Sequence, residues 1–123
     1  MFVEHVNLTV TEPRSRAELF CRLFDWHIRW EGPSMLGGNT VHVGDDNSYL
    51  ALYTIEGASG PGRPGGTVIG INHIGVVVDD LDEVAARVHA EGIETFSHET
   101  YEPGSRFYFL DPDGIEYEVV SYS

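Results

Sequence analysis

The chain has 123 residues, enough for one domain with a real core, and 41% of them are apolar, which excludes a disordered chain. Seven basic against twenty acidic residues give a formal net charge of −13, which argues against nucleic acid and anionic membranes as partners but not against an anionic substrate, because a bound divalent cation can dominate the local field. No stretch approaches the roughly 20 apolar residues of a membrane span, and the single cysteine, Cys21, excludes an internal disulfide framework and any CxxC site.

Met1 runs straight into Phe2-Val3-Glu4-His5-Val6 without a basic, then apolar, leader, so a cytoplasmic location is the expectation. The first strand is HVNLTV, 5–10. A helix follows near Pro13 to Phe24, with Ser15 and Glu18 at capping-box spacing and Ala17, Phe20 and Phe24 as its apolar stripe. Three strands are expected near 26–31, 36–43 and 48–55. The stretch GASGPGRPGG, 57–66, then reads as a flexible connector.

The second half repeats the first. HIGVVV, 73–78, matches the opening strand, His for His. A helix near Leu81 to Glu91 has Asp80 and Glu83 to cap it, the stripe Leu81, Val84 and Val88, and Gly92 at its C-terminal end. Strands are expected near 94–99, 105–110 and 115–122. The last hairpins align as GDDNSYLALY (44–53) over DPDGIEYEVV (111–120), which pairs Asn47 with Gly114, both tolerant of a left-handed turn, and Ala51 with Glu118. The chain is therefore βαβββ twice: module 1 over 1–56, the connector, and module 2 over 67–123, one domain of the α+β class.

The duplication singles out three residues. His5 and His73 open equivalent strands, each on a face with a small or polar neighbour, Asn7 and Gly75. Glu118 stands on the returning strand of the second half. Two imidazoles and a carboxylate on different strands suit a divalent metal with open coordination positions. A lone His on a strand is otherwise a hydrogen-bonded structural residue. Glu116 shares a face with Glu118 and competes with it; the repeat alignment favours Glu118, with Glu116 read as the wetter acid near the rim.

The twice-repeated βαβββ pattern, the two strand-opening His and the run YFLDPDGIEYE resemble the vicinal oxygen chelate superfamily, and LFCRLFDW (19–26) resembles the helix end and turn that follow its first strand. That superfamily includes glyoxalase I, the extradiol ring-cleaving dioxygenases, the fosfomycin-resistance thiol transferases and the bleomycin-binding proteins. The resemblance covers nearly the whole chain. It implies two βαβββ modules whose curved mixed sheets surround a metal-binding cleft, and a homodimer acting on a small-molecule substrate. It also implies one divalent ion, Fe(II) first, with Mn(II), Ni(II) or Zn(II) as the other candidates, held by His5, His73 and Glu118.

Within the superfamily, Ala51 stands where glyoxalase I has a fourth ligand, which counts against isomerase chemistry. Phe107-Tyr108, Asp111-Pro112, Gly114 and Glu118 fit the extradiol signature, which implies Tyr108 as the group that orients or deprotonates substrate and His98 as an acid–base partner. The run FYFLDPDG also resembles the thiol transferases, but Asn7, His98 and Glu102 depart from their pattern. The third alternative is a non-catalytic, drug-binding protein, for which Trp26, Trp30, Tyr49, Tyr53, Tyr101 and Tyr108 would line an aromatic cleft. The expected activity is an extradiol-dioxygenase-like, metal-dependent enzyme. His27, His42 and His89 are expected to be local or surface residues, Cys21 a packed thiol, and Arg63 part of the connector.

Overall fold

The computed structural model describes residues 2–60, 71–101 and 104–123, with the side chain of Tyr101 outside that set. Most of the expected connector, Arg63 with it, and Glu102 also lie outside the described residues. The chain divides into two compact units, Met1–Gly60 and Pro61–Ser123.

The first unit runs β1 (His5–Thr9), α1 (Pro13–Phe24), β2 (His27–Pro33), a 3₁₀ turn (Met35–Gly37), β3 (Asn39–Gly44) and β4 (Tyr49–Thr54). Its sheet order is β1-β4-β3-β2, with β1 parallel to β4 and the other pairs antiparallel. Strand alternation puts Leu8, Val41, Val43, Leu50 and Leu52 on one face, and α1 covers it with Ala17, Phe20 and Leu23; all are buried. The helix starts at Pro13, whose fixed φ suits the first helical position, and Glu12 at the N-cap makes no side-chain cap bond. The capping box expected at Ser15 therefore does not form: Ser15 lies already inside the helix. Asp25 ends it at φ 58°, in the left-handed region. β3 begins three residues later than expected because Met35–Gly37 turns first, with Leu36 at φ 55°.

The second unit runs β5 (Ile74–Val77), α2 (Leu81–Ala90), β6 (Thr95–Tyr101), β7 (Gly104–Leu110) and β8 (Glu116–Ser121), in the sheet order β5-β8-β7-β6. β5 is parallel to β8, and the other pairs are antiparallel. Asp80 caps α2 by accepting from the Glu83 backbone N–H at 3.0 Å, and Gly92 follows the helix at φ 78°. Val84 and Val88 of α2 are buried with Val76, Phe107, Phe109, Tyr117 and Val119. The fold is α+β, a βαβββ unit repeated.

Register makes the repeat exact at the residue level. Asn7 pairs with Ala51 as Gly75 pairs with Glu118. His42 pairs with Ala51 as Tyr108 pairs with Glu118. Trp30 pairs with His42 as Phe96 pairs with Tyr108, and each outer strand is bulged beside that pair.

The β3–β4 and β7–β8 turns solve one problem with an aspartate. Asp45 Oδ1 accepts from the Asn47 and Ser48 backbone N–H groups at 2.8 and 3.0 Å. Asp111 Oδ1 accepts from Asp113 and Ile115 at 2.9 and 3.0 Å, and its Oδ2 accepts from the Tyr117 hydroxyl at 2.8 Å. Gly114 takes the left-handed conformation at φ 81°, whereas Asn47 does not.

The Ser48 and Asn47 N–H groups hold the Asp45 carboxyl below its ordinary range. A depressed folded-state pKa stabilises above the unfolded value, about 3.9, and that stabilisation is lost as pH falls through the folded value. The stability gap between wild type and Asp45→Ala is therefore expected to be constant near neutrality and to close below about pH 4, read by urea denaturation across pH. Asp111→Ala, which strands buried donors, is expected to cost about 3 kcal/mol at neutral pH, more than Asp45→Ala.

Candidate metal centre

In each unit one sheet face is covered by a helix, and titratable residues gather on the other. On the second unit that face carries Glu116, Glu118, Tyr108 and Arg106, with His73 immediately before β5. His73 Nε2 lies 3.3 Å from Glu118 Oε1. Its other nitrogen, Nδ1, donates to Asn72 Oδ1 at 2.8 Å and stands 3.6 Å from Glu116 Oε2. A proton on Nδ1 leaves Nε2 as the lone-pair nitrogen, beside a carboxylate oxygen. That is the arrangement in which a metal-binding imidazole is fixed through its second nitrogen.

Glu118 is held from behind. Arg106 Nη1 donates to Oε2 at 2.8 Å, and the Tyr108 hydroxyl donates to the same oxygen at 3.3 Å. The Tyr108 ring meets the His73 ring edge-on, with centroids 5.5 Å apart. Gly75 leaves the other side of the carboxylate open: a Cβ there would stand 3.7 Å from Oε1. The side chains of Glu116 and Glu118 are 5% and 13% exposed. Glu116 is thus the drier acid, which corrects the expectation that it lies wet at the rim. The strand that places Glu118 beside His73 necessarily turns Glu116 to the same face, where it serves the far nitrogen of the ring.

The first unit repeats the imidazole anchor. His5 Nδ1 donates to Glu4 Oε1 at 3.0 Å, and the Tyr49 hydroxyl donates to that oxygen at 3.2 Å. The His5 ring, then the Tyr49 hydroxyl, hold the Glu4 carboxyl below its ordinary range. His5 stacks on Tyr49 at 4.9 Å, Tyr49 on His42 at 4.5 Å, and His42 leans on Trp30 at 5.1 Å. One row of rings thus crosses all four strands, with the Arg29 guanidinium 4.4 Å from the Tyr49 ring centroid. His42, expected to be a local residue, sits inside this row. Burial, with His5 and Arg29 as further causes, pushes its imidazole pKa down.

The other expected residues are dispersed. His98 is not brought to Tyr108. The bulge at Ser97, φ 52°, turns it to the opposite face, where its ring stacks on the buried Phe107 at 5.4 Å. Its Nε2 shares the Thr95 hydroxyl with His89 Nε2, at 2.7 and 2.9 Å. Trp26 packs against Phe20 and Phe24. Tyr53 is buried and donates to the Met35 carbonyl at 2.9 Å. His27 faces the exposed Asp46 at 3.7 Å. Burial, with Glu18 as a lesser cause, pushes the Cys21 thiol up, away from nucleophilic use. Among the described residues, no three His, Cys, Asp or Glu side chains converge as a ready-made ion cage. Arg106, bonded to Glu118, is the neighbour that the sequence did not single out. Its signal was present: alternation places it on the Tyr108 and Glu118 face, directly across from Val120.

The fold agrees with comparisons to known proteins. The sequence matches no curated protein. A solved glyoxylase/bleomycin resistance protein/dioxygenase domain from Frankia sp. EAN1pec is 21% identical over 100% of this chain and 98% of that one, with a TM-score of 0.83. The fosfomycin resistance protein FosX from Listeria monocytogenes is 17% identical over 99% and 94%, with a TM-score of 0.77, and has also been solved with Mn(II) and sulfate. An antibiotic-binding protein from Streptomyces sp. CB03234 is 19% identical over 100% and 97%, with a TM-score of 0.72. No helix among the described residues is long and apolar enough to cross a membrane. Residues 3–119 match the model of the Glyoxalase/Bleomycin resistance protein/Dioxygenase superfamily, and the chain belongs to that superfamily.

Proposed function

We propose that the protein is a divalent-metal-dependent enzyme acting on a small substrate that chelates through two oxygens, with extradiol-dioxygenase-like chemistry as its reaction class. His5, His73 and Glu118 are the proposed ligands. The observation that carries this reading is the duplicated anchor: each His has its Nδ1 held by the preceding residue, Glu4 or Asn72, which leaves Nε2 free to ligate. The donor set fits Fe(II), Mn(II), Ni(II) or Zn(II), and the Mn(II) found in FosX supports a divalent ion of this kind.

When bound, such an ion supplies Lewis-acid polarisation and lowers the pKa of a coordinated hydroxyl. The residues of this chain do the rest. Glu116 and Asn72 keep the His73 proton on Nδ1. Tyr108 keeps its own proton on Oη, aimed at Glu118 Oε2, and is the polar group at hand to orient a substrate hydroxyl. His98 takes no part, since it belongs to the helix-covered side of the sheet. The Trp30–His42–Tyr49 row offers flat apolar surface beside His5 for the carbon part of a substrate.

Protein purified without an affinity tag is expected to carry about one equivalent of a transition metal per chain by mass spectrometry. The His5→Ala/His73→Ala variant and Glu118→Ala are expected to carry none, whereas Glu116→Gln should keep metal with roughly 10- to 100-fold weaker affinity. Metal retained by Glu118→Ala and lost from Glu116→Ala would move the ligand to Glu116. No metal in wild type, even after addition of Fe(II), Mn(II) or Zn(II), would leave a binding protein.

Oxygen uptake on a catechol panel tests the reaction class. Tyr108→Phe is expected to lower the rate by about 100-fold or more, while His98→Ala should leave the rate within about twofold and lower stability by about 1 kcal/mol. Conjugation of glutathione or bacillithiol in place of oxygen uptake would reassign the enzyme to thiol transfer. A homodimer is expected in sedimentation velocity, and a monomer at all loading concentrations would remove that part of the reading.

A further inference from the structure

We infer that Arg106 is a positioning residue that reserves one oxygen of Glu118 for the protein and so makes Glu118 a one-oxygen ligand, keeping a coordination position open for substrate. This rests on the metal reading above and concerns how many positions the protein leaves free.

The geometry separates the two carboxylate oxygens. Oε2 accepts from two donors, Arg106 Nη1 at 2.8 Å and Tyr108 Oη at 3.3 Å. Oε1 faces His73 Nε2 at 3.3 Å, on the side left open by Gly75. A carboxylate can bind an ion through one oxygen or two. With a charge-assisted bond on Oε2, the second oxygen is turned toward a cation and cannot also face the ion. Arg106 is itself 9% exposed, so its guanidinium has little freedom to swing away.

The repeat supports this function for the pair. Register equates Glu118 with Ala51 and Arg106 with Thr40, since Thr40 pairs with Tyr53 as Arg106 pairs with Val120. In the half that lacks the carboxylate, the guanidinium is lacking too, and Thr40 shares a hydrogen bond with Ser34 instead. Charge compensation alone would also explain a buried Arg beside a carboxylate. The two accounts differ in what happens to the ion when Arg106 is removed.

The test uses Mn(II)-loaded full-length protein and the relaxation of solvent protons per bound Mn(II), which counts exchangeable inner-sphere water. Three protein ligands on a six-coordinate ion leave about three open positions. In Arg106→Met the freed Oε2 takes one of them, so relaxivity should fall by about a third, whereas Arg106→Lys, which still pairs with Oε2, should keep the wild-type value. If Arg106→Met does not fold, Arg106→Gln, too short to reach Oε2, is read the same way. Bound Mn(II) with unchanged relaxivity in these variants would overturn the inference and leave Arg106 as charge compensation only. Wild type that binds no Mn(II), Fe(II) or Zn(II) would instead refute the metal reading itself.

Discussion

A strand with a helix packed on one side has one other side for its titratable groups. β8 is the clearest case. Tyr117 and Val119 point into the core formed with Phe107, Phe109 and the valines of α2, and all are buried. The two-residue period then commits Glu116 and Glu118 to the opposite face, and the antiparallel pairing with β7 sets Tyr108 directly across from Glu118. A slip of one residue would bury both carboxylates in apolar packing and expose the tyrosine. The hydrophobic core therefore fixes the polar constellation, through register, without any attraction between the polar groups being needed.

Those groups still need their charges balanced once they are there. Glu118 is little exposed, and a carboxylate taken out of water is costly unless paired and hydrogen-bonded. Arg106 and Tyr108 meet one oxygen, and His73 stands beside the other. In the first unit the balance is lighter and wetter. Glu4 sits exposed and takes the His5 and Tyr49 donors, while Ala51, at the position of Glu118, is apolar and buried. Burial and nearby positive groups favour a neutral His42 there, so that face carries rings and few charges.

Much of this was legible in the sequence because it follows from period and punctuation. α1 spans the expected residues, α2 stops one residue short of its expected end, and all eight strands lie within three residues of their expected limits. Pairing His5 with His73 and Ala51 with Glu118 needed only the alignment of two halves, and strand register reproduces the second pairing. What escaped was conformational detail that no residue type announces. A single left-handed residue, Ser97, carries His98 to the other face. A proline at the first helical position displaced the expected cap at Ser15. Solvation was misread as well: alternation shows that Glu116 and Glu118 share a face but not which of them is drier.

The divergence of the two halves has a physical direction under the proposed reading. The second sheet places a carboxylate, a hydroxyl-bearing ring and a cation at three register positions, Glu118, Tyr108 and Arg106, where the first has Ala51, His42 and Thr40. Each additional anionic ligand lowers the positive charge an ion can exert on a substrate oxygen. Two imidazole ligands, which add no negative charge, with one carboxylate partly satisfied by Arg106 would preserve more of that charge than a site with a second acid. An alanine rather than an acid at position 51 would then favour polarising power and open coordination, with Arg106 acting in the same direction by engaging the oxygen that Glu118 does not present to His73.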